Sequence, residues 1–254
     1  MSNSTPSPLP DAAPGDASAS GGPPFFSQPY QALVLGASGA IGAAFVQAFA
    51  ADPMCRHVTM VSRSHTPGFD LGQPEGFSGV AQACAAQGPY HIMVDATGAL
   101  TMDGVGPEKS LAAVRSELLA QNFQINAIAP LLLLRQFVPL LAPGPSVYAK
   151  LSARVGSISD NKKGGWYGYR ASKAALNMFL QTAAIELQRK NPQLRVVALQ
   201  PGTVRSRLSA AFAGSVSHLL EPETAVAGML GALQSLPPQA GAHYIDYQGQ
   251  TIPW

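Results

Sequence analysis

From Tyr30 onward, apolar runs of strand length alternate with segments of helical length, and the runs are nearly continuous in apolar residues. Strands that are buried between two layers of helices have such unbroken runs, whereas half-exposed strands alternate. The predicted strands are residues 31–36, 56–62, a very short one near Phe69, 90–96, 145–152, 194–200 and 244–246. The pattern predicts an α/β fold: a doubly wound, mostly parallel sheet of about seven strands with helices on both faces.

Residues 1–29 differ from the rest of the chain, because Ser, Pro, Ala, Gly and Asp dominate them and apolar residues are scarce before Phe25. Such a segment buries too little surface to offset the entropy of ordering. We therefore expect a disordered tail at 1–29 and a single domain at 30–254. The most apolar run, 129–142, is shorter than the roughly 20 residues that a membrane span needs, so it predicts a buried helix.

Charge and cysteine content narrow the function classes. The chain has 16 basic and 14 acidic residues, a formal net charge of +2, and no block of Lys and Arg. This distribution favours small-molecule partners over nucleic acid or a membrane. Cys55 and Cys84 have neither metal-ligand spacing nor a disulfide framework. No metal is therefore predicted, and a reducing cytoplasm is the expected location.

A glycine-rich turn joins the first predicted strand to the first predicted helix. Its sequence is Gly36-Ala-Ser38-Gly39-Ala-Ile41-Gly42. Gly36 permits the tight turn, Gly39 lets the backbone approach a pyrophosphate, and Gly42 allows close packing. The unpaired N–H groups and the dipole of the following helix favour a phosphate. The turn, with Ser38 and Ile41, therefore predicts a Rossmann-type dinucleotide site.

The end of the second predicted strand indicates which dinucleotide is bound. Many NAD-binding proteins have an acidic residue there that bonds the ribose hydroxyls, but this sequence reads Ser62-Arg63-Ser64. An arginine can pair with a 2′-phosphate through charge-assisted hydrogen bonds. Arg63 therefore favours NADP(H), with NAD(H) as the alternative. Asp70 and Leu71, after the short third strand, are candidates to flank the adenine, or simply form a turn.

Tyr169 and Lys173 are four residues apart in a predicted helix, which places them on one face, one turn apart. A phenol has an unperturbed pKa of about 10. An adjacent ammonium and the cationic oxidised nicotinamide would both favour the phenolate. Tyr169 is therefore the predicted proton shuttle. The spacing alone arises easily by chance, so its context has to support the interpretation.

That context is a fixed order of features: a glycine loop, an asparagine in a mid-chain helix, Tyr-x-x-x-Lys, and Pro-Gly after a strand. In this order the sequence from Tyr30 onward resembles the short-chain dehydrogenase/reductase family. The run from Leu151 to Asn161, together with Gly-Gly-Trp-Tyr-Gly-Tyr169-Arg-Ala-Ser-Lys173-Ala-Ala-Leu-Asn, is most similar to the bacterial C-factor (C-signal) group. The resemblance implies an NAD(P)(H)-dependent oxidoreductase that interconverts a carbonyl and an alcohol by hydride transfer.

The resemblance also implies roles for further residues. Lys173 would hold the nicotinamide ribose hydroxyls, and Asn126 would anchor a water that relays protons to Lys173. The structural alternative for Asn126 is a helix-bending role. In the loop Pro201-Gly202-Thr203-Val204, Thr203 and the Val204 backbone would face the nicotinamide carboxamide, with ordinary loop structure as the alternative.

Two positions depart from the family pattern. The family's catalytic serine is usually the second of a Ser-Ser pair after the fifth strand, and this chain has Ser152 followed by Ala153. Ser152 stays a catalytic candidate, although successive side chains of a strand point to opposite faces. Ser157 and Ser159 are alternative sources of a hydroxyl. Loss of one such donor can cost about a hundredfold or more in rate.

The second departure lies after the fourth predicted strand, where Asp95-Ala-Thr97-Gly98 replaces the family's common Asn-Asn-Ala-Gly. Gly98 is preserved at the backbone's approach to the cofactor, and Thr97 and Gly98 are predicted to bind it. Asp95 is predicted to bond neighbouring loop amides, as a cap at the strand end.

Three functions are open at this point. The first is an NADP(H)-dependent oxidoreductase. The second is a nucleotide-binding signalling or regulatory protein with little or no turnover, which Ala153 and the C-factor resemblance both suggest. The third is an epimerase-type activity, but only 81 residues follow Lys173 (254 minus 173), which leaves little room for a substrate domain.

Two surfaces complete the predictions. Residues 205–220, with Leu208, Phe212 and Leu219, are expected to form a lid over a modest apolar pocket. The apolar helices around 111–140 and 173–187 resemble those through which family members pair, so a homodimer or homotetramer is expected. An apolar helical stripe is, however, also typical of a plain core.

Overall fold

The computed structural model describes residues 26–206, 209 and 219–254. Most of the predicted tail, residues 1–25, lies outside the described residues. So do Leu208 and Phe212 of the predicted lid.

Within the described residues, six parallel strands form one sheet. They are β1 (Tyr30–Leu35), β2 (Cys55–Val61), β3 (Ile92–Asp95), β4 (Ser146–Leu151), β5 (Leu194–Gln200) and β6 (His243–Asp246). Their order across the sheet is β2-β1-β3-β4-β5-β6, and every neighbouring pair runs parallel. All residues of β3 and β4 are buried, as expected of strands covered on both faces. The predicted α/β class with a doubly wound parallel sheet is confirmed.

The short strand predicted near Phe69 does not form among the described residues, which is why the sheet has six strands. Phe69 is buried and packs on Phe77 with ring centroids 5.8 Å apart. Next to it, Asp70 and Gln73 make only an isolated antiparallel bridge. Gly68, with φ +80°, turns the chain immediately before Phe69. The aromatic residue therefore anchors a turn in the core and does not extend the sheet beyond β2.

Helices cover both faces of the sheet. They are α1 (Ala40–Ala51), α2 (Phe77–Ala85), α3 (Ser116–Phe123), α4 (Ala129–Phe137), α5 (Tyr167–Leu187) and α6 (Pro222–Ser235). One apolar cluster, including Phe77, Phe137 and Leu176, lies under α2, α4 and α5. The other, including Phe45 and Met229, lies under α1 and α6. The sheet thus separates two cores.

A π-helical turn, Gln124–Ile128, joins α3 to α4. The whole helical segment Ser116–Leu140 is the one stretch among the described residues that has the length and composition to cross a membrane. That criterion is weak, because core helices of soluble proteins also satisfy it. Leu133, Leu134 and Phe137 are buried in the core, in agreement with the buried helix predicted for this run.

The topology places a crevice at the carboxyl ends of the strands. β1 has β2 on one side and β3 on the other, so the chain leaves β1 in one direction and returns to its opposite side. In open parallel sheets, ligands bind at such a switch point, outside the carboxyl ends of the strands. The loops that follow β1, β3, β4 and β5 therefore build the candidate site.

Candidate functional site

The glycine loop follows β1 directly. Gly36 has φ +81°, a conformation that favours glycine, and its N–H donates to the Val61 carbonyl over 2.8 Å. A Cβ on Gly42 would lie 2.2 Å from the Gly36 carbonyl oxygen, so no larger residue fits there without a backbone shift. The protein's own packing thus requires Gly36 and Gly42.

Gly39 is different, because the protein leaves space around it. A Cβ there would meet one atom within 4 Å, the Gly36 carbonyl oxygen at 3.4 Å, which is an ordinary contact. Gly39 is also the N-cap of α1, without a side-chain cap, and Ser38 beside it is exposed. Ile41 is half-buried and packs against the α1 and α6 core. The missing side chain at Gly39 leaves the first-turn N–H groups of α1 accessible to an anion.

The end of β2 carries the predicted selectivity residue. Arg63 is exposed and follows Val61, whose carbonyl holds the glycine loop. Its neighbours form a local cluster in which His65 Nδ1 lies 3.0 Å from Ser62 Oγ and 2.8 Å from Ser64 Oγ. Arg63 therefore follows, by two residues, the strand end that holds the glycine loop, and its role in cofactor selectivity stays a prediction.

Asp70 and Leu71 form a turn that is tied to the rest of the fold. Asp70 Oδ1 accepts the Gly72 N–H over 2.8 Å, which matches the plain turn aspartate considered above. The Leu71 carbonyl accepts a hydrogen bond from Gln124 Nε2 over 3.1 Å. These contacts link the turn to the π-helical segment, and a role beside adenine stays a prediction.

A buried ion pair between β3 and β4, which the sequence patterns did not predict, supports the loop after β3. Asp95 and Lys150 are register partners on β3 and β4, and both side chains are completely buried. Lys150 Nζ donates to Asp95 Oδ1 over 2.8 Å and to the Thr97 carbonyl over 2.6 Å. Asp95 Oδ1 also accepts the Thr97 N–H and hydroxyl, so the predicted strand-end cap is present. A lysine inside an apolar strand was the available signal, since a buried charge needs a partner.

Asn126 and Lys173 converge on Gly98. Asn126 Oδ1 accepts the Ala99 N–H over 3.0 Å, and its Nδ2 donates to the Ala99 carbonyl over 2.9 Å. A Cβ on Gly98 would lie 3.2 Å from Asn126 Oδ1 and 3.6 Å from Lys173 Nζ. Asn126 sits in the π-helical turn, so it both interrupts the helix and clamps the loop. A bound water at Asn126 stays a prediction.

Tyr169 and Lys173 lie in the first two turns of α5 and are 9% and 3% exposed. Lys173 Nζ lies 5.7 Å from the centre of the Tyr169 ring and donates to the Leu151 carbonyl over 3.1 Å. Burial, and then the charge of Lys150, lower the pKa of Lys173 to about 7. Burial raises the pKa of Tyr169 above its ordinary value, and Tyr244 adds to this effect. In the protein alone, burial thus outweighs the expected support for the phenolate.

A second missed residue holds the N-terminus of α5. Glu108 is buried, and its Oε2 accepts the Gly168 N–H over 3.1 Å. Its backbone carbonyl accepts the N–H of Trp166, whose φ is +55°. A Cβ on Gly168 would lie 3.0 Å from Glu108 Oε1. Glu108 therefore fixes the helix one residue before Tyr169, across 60 positions of sequence that no local pattern connects.

Ser152 and Ala153 follow β4. Ser152 is buried, and its hydroxyl donates to Asn177 Oδ1 over 2.6 Å. Ala153 presents a methyl group, and its carbonyl accepts the Tyr244 hydroxyl over 2.7 Å. A catalytic role for Ser152 would require this hydroxyl to leave Asn177, and it stays a prediction.

The alternative serines are also engaged. Ser157 Oγ is buried and accepts the Asp160 N–H over 3.0 Å. Ser159 Oγ is exposed and donates to the Trp254 carbonyl over 2.7 Å.

The loop after β5 leads towards the predicted lid. Gly202 has φ +78°, and the Thr203 carbonyl accepts the Leu220 N–H over 2.9 Å. The Val204 carbonyl accepts the Ser209 hydroxyl over 2.6 Å. Pro201, Gly202 and Thr203 are half-buried. Backbone hydrogen bonds of Leu220 with Thr203 and Arg205 thus hold the two ends of the predicted lid segment together, next to this loop.

The strand order, the glycine loop that opens a helix at the switch point of the sheet, and the buried Tyr-Lys pair together define a Rossmann-type protein. The sequence profile described as short chain dehydrogenase matches residues 67–214. The chain belongs to the short-chain dehydrogenase family.

Two curated relatives are similar over most of their own length. A 1-hydroxy-2-glutathionyl-2-methyl-3-butene dehydrogenase from Rhodococcus sp. is 30% identical over 192 residues, which cover 74% of this chain and 79% of the relative. The C-signal protein of Myxococcus xanthus is 34% identical over 137 residues, 54% of this chain and 78% of the relative. The resemblance to the C-factor group is confirmed.

Solved structures share the fold at low identity. The NADPH-bound carbonyl reductase from chicken fatty liver has a TM-score of 0.76 and 21% identity, over 89% of this chain and 95% of that one. A short chain dehydrogenase from Burkholderia cenocepacia in complex with NADP has a TM-score of 0.68 and 20% identity, over 85% and 88% of the two chains. At such identity, the likeness supports the fold alone.

Proposed function

We propose that this protein is an NADP(H)-dependent oxidoreductase that interconverts a carbonyl and an alcohol, with Tyr169 as the proton donor and acceptor. The observation that carries the proposal is the convergence of Lys173 and Asn126 on Gly98, with Tyr169 one turn away on α5. The loop at Gly98 lies beside the glycine loop, because a Cβ on Gly36 would be 3.1 Å from the Thr97 nitrogen. A proton-transfer pair thus adjoins a phosphate cradle.

The residues fit a dinucleotide. The space left at Gly39 and the uncapped start of α1 suit a pyrophosphate. Lys173 would contact the nicotinamide ribose, and Thr97, Gly98 and the 201–204 loop would border the nicotinamide. The bound cofactor supplies or accepts the hydride. The protein's own task is to exclude water, orient the substrate and move one proton at the Tyr169 oxygen.

Arg63 supports NADP(H) over NAD(H). It is exposed at the end of β2, where NAD-specific proteins often have an acid. The nearby Asp70 carboxylate is bonded within its own turn. Two of the structural neighbours were solved with NADP or NADPH bound. A guanidinium at this place can pair with a 2′-phosphate and has no comparable partner on NAD(H).

The proton relay starts from a neutral phenol. Because burial raises the pKa of Tyr169, the protein holds the phenol in the form that can donate a proton to a developing alkoxide. Lys173, whose pKa burial and Lys150 lower to about 7, then stands next to it as an amine that exchanges protons near neutral pH. Asn126 keeps the 98–99 loop in place against Lys173.

A second function, nucleotide binding with little turnover, is favoured by Ala153. Its methyl group stands where the family usually provides a hydroxyl, and Ser152 is bonded to Asn177. The similarity to the C-signal protein points in the same direction. A small carbonyl or alcohol compound is the proposed substrate class of the oxidoreductase only.

Assembly and domain extent follow from the same proposal. We propose one domain over residues 30–254 and a homodimer or homotetramer formed through α3, α4 and α5. Met178 and Ile185 are seven residues apart on one face of α5, are 64% and 47% exposed, and would be covered in such an interface. Light scattering after gel filtration measures the assembly directly.

The test of function is a fluorescence titration with NADPH and NADH, followed by single-turnover oxidation of NADPH with a panel of aldehydes, ketones and quinones. Tyr169→Phe removes the proposed proton shuttle. Tyr167→Phe removes an exposed phenol two residues away and is the matched control. Turnover that is lost in Tyr169→Phe but kept in Tyr167→Phe supports the reductase. Tight binding without turnover over the whole panel favours the second function, and no binding of either cofactor refutes both.

A further inference from the structure

Two lysine side chains approach the same short loop from different elements. Lys150, on β4, bonds the Thr97 carbonyl at 2.6 Å and the Thr97 hydroxyl at 2.9 Å. Lys173, on α5, places Nζ 3.6 Å from the position of a Cβ on Gly98. The two amines therefore adjoin consecutive residues of one loop, and both side chains are buried.

One carboxylate, that of Asp95, attracts both protonated amines electrostatically. Asp95 is in direct contact with Lys150 at 2.8 Å, whereas Lys173 has the Leu151 carbonyl as its hydrogen-bond acceptor. The other titratable groups of the packed elements are phenols, one carboxyl and an ion-pair cluster. The phenols are Tyr148 on β4, whose hydroxyl donates to Asp95 Oδ2, Tyr169 on α5 and Tyr244 on β6. The carboxyl is that of Glu108, which accepts the Gly168 N–H of α5, and the ion-pair cluster joins Arg154 to Asp246 and Asp160. With both amines protonated, the cluster has two buried positive charges and one negative charge.

We propose that Lys150, held by Asp95, is a positioning residue for the Tyr169–Lys173 relay: it anchors the 95–98 loop and sets the pH at which Lys173 releases its proton. The inference rests on the proposed function, since it concerns the relay of that reaction. The sequence departs from the usual family pattern at Asp95, and the structure shows that Lys150 is its partner.

The physical argument is a competition between two amines for one anion. A like charge nearby disfavours the protonated form of an amine, and an opposite charge favours it. Burial lowers the pKa of Lys150 as well, but the direct contact with Asp95 opposes this effect, and Lys150 also donates to Thr97. Lys173 is repelled by the charge of Lys150 but does not touch Asp95, and the attraction to Asp95 offsets this repulsion only in part. A group that exchanges protons near the working pH is the one that general acid–base catalysis needs.

The experiment follows the lysine titrations by NMR in cofactor-free protein labelled with 13C and 15N at the lysine side chains. The chain has six lysines, so single substitutions assign the signals. The variants are Lys150→Met, Lys150→Met/Asp95→Asn, and Lys190→Met. Lys190 is exposed beyond the far end of α5 and serves as the control for loss of one lysine charge.

Lys150→Met should raise the titration midpoint of Lys173 by about one pH unit or more, because it removes the like charge and keeps the carboxylate. The Thr97 N–H, the Thr97 hydroxyl and the Tyr148 hydroxyl still donate to the Asp95 side chain in this variant. The double variant removes both charges, so its midpoint should lie between those of the wild type and Lys150→Met. Lys190→Met should leave the midpoint unchanged.

An unchanged or lower midpoint of Lys173 in Lys150→Met overturns the proposal. If that variant does not fold, the double variant decides: a midpoint above the wild-type value supports the proposal, and one at or below it overturns the proposal. Because the titration needs neither cofactor nor turnover, its failure is separate from failure of the proposed function. In the active enzyme, the limb of the kcat profile that reports Lys173 should move by the same amount.

Discussion

Replacing Gly39 by alanine should separate cofactor binding from folding. The backbone at Gly39, φ −75° and ψ 158°, is open to alanine, and the added Cβ would meet only the Gly36 carbonyl oxygen at 3.4 Å. Gly42→Ala is the contrasting change, because its Cβ would lie 2.2 Å from that same oxygen and 2.9 Å from the Gly36 carbonyl carbon. The methyl group of Gly39→Ala makes only an ordinary contact, whereas that of Gly42→Ala overlaps the backbone of Gly36.

The magnitudes follow from these contacts. In Gly39→Ala, the unfolded chain loses entropy, which stabilises the protein by about 0.4–1 kcal/mol, while alanine is a poorer N-cap by a similar amount. The free energy of unfolding should thus change by less than about 1 kcal/mol. The methyl group would occupy the place of a phosphate oxygen and break one hydrogen bond to a charged group, about 1.5–3 kcal/mol. NADPH affinity should fall by about 10- to 100-fold.

Gly42→Ala should instead lower the free energy of unfolding by about 1–3 kcal/mol, because overpacking forces the glycine loop to move. Gly79→Ala, in α2, is the control, since a Cβ there meets nothing within 4 Å and alanine favours a helix. Urea unfolding measures stability, and NADPH fluorescence titration measures affinity. Wild-type NADPH affinity in a folded Gly39→Ala variant would refute the assignment of this space to the pyrophosphate.

Three further changes probe the catalytic side of the crevice. Ala153→Ser should raise single-turnover rates by up to about 100-fold by restoring a donor for the substrate oxygen, and an unchanged rate would show that this position does not face the substrate. Lys173→Met should flatten the pH dependence of stability between about pH 7 and 10.5. In that window Lys173 binds a proton in the unfolded chain but not in the native protein, so wild-type stability rises with pH. Equal slopes of unfolding free energy against pH in the two proteins, measured by urea unfolding, would contradict the lowered pKa of Lys173. Glu108→Ala should cost about 1–3 kcal/mol in urea unfolding by leaving the Gly168 N–H without its acceptor, whereas Glu108→Gln, which keeps an acceptor, and the exposed Glu117→Ala should cost little.

Sequence patterns predicted those parts of the fold that depend on local order. Continuous apolar runs located all six strands of the sheet, and the order of glycine loop, Tyr169 and Lys173 located the crevice. The prediction of a strand near Phe69 was wrong, because one buried aromatic residue gives the same short sequence pattern whether it anchors a turn or belongs to a strand. Gly68, with its positive φ, decides for the turn.

Contacts between distant segments were beyond local patterns. Glu108 meets Gly168 across 60 positions, and Ser152 meets Asn177 across 25. The Asp95–Lys150 pair was closer to prediction. Each residue carries a charge near the end of an otherwise apolar strand, and neighbouring parallel strands bring such ends together. A search for the partner of Lys150 among strand ends would have found it.

The two halves of the crevice differ in how many of their side chains are buried and already hydrogen-bonded to protein atoms. Around Gly98, Asn126, Lys150 and Lys173 are buried and bonded to protein atoms. At the phosphate side, Ser38, Gly39 and Arg63 are exposed. Substitutions in the first half must therefore disturb stability and proton transfer together, because the same hydrogen bonds serve both. Substitutions in the second half are expected to act mainly on cofactor affinity, and this difference allows binding and turnover to be tested separately.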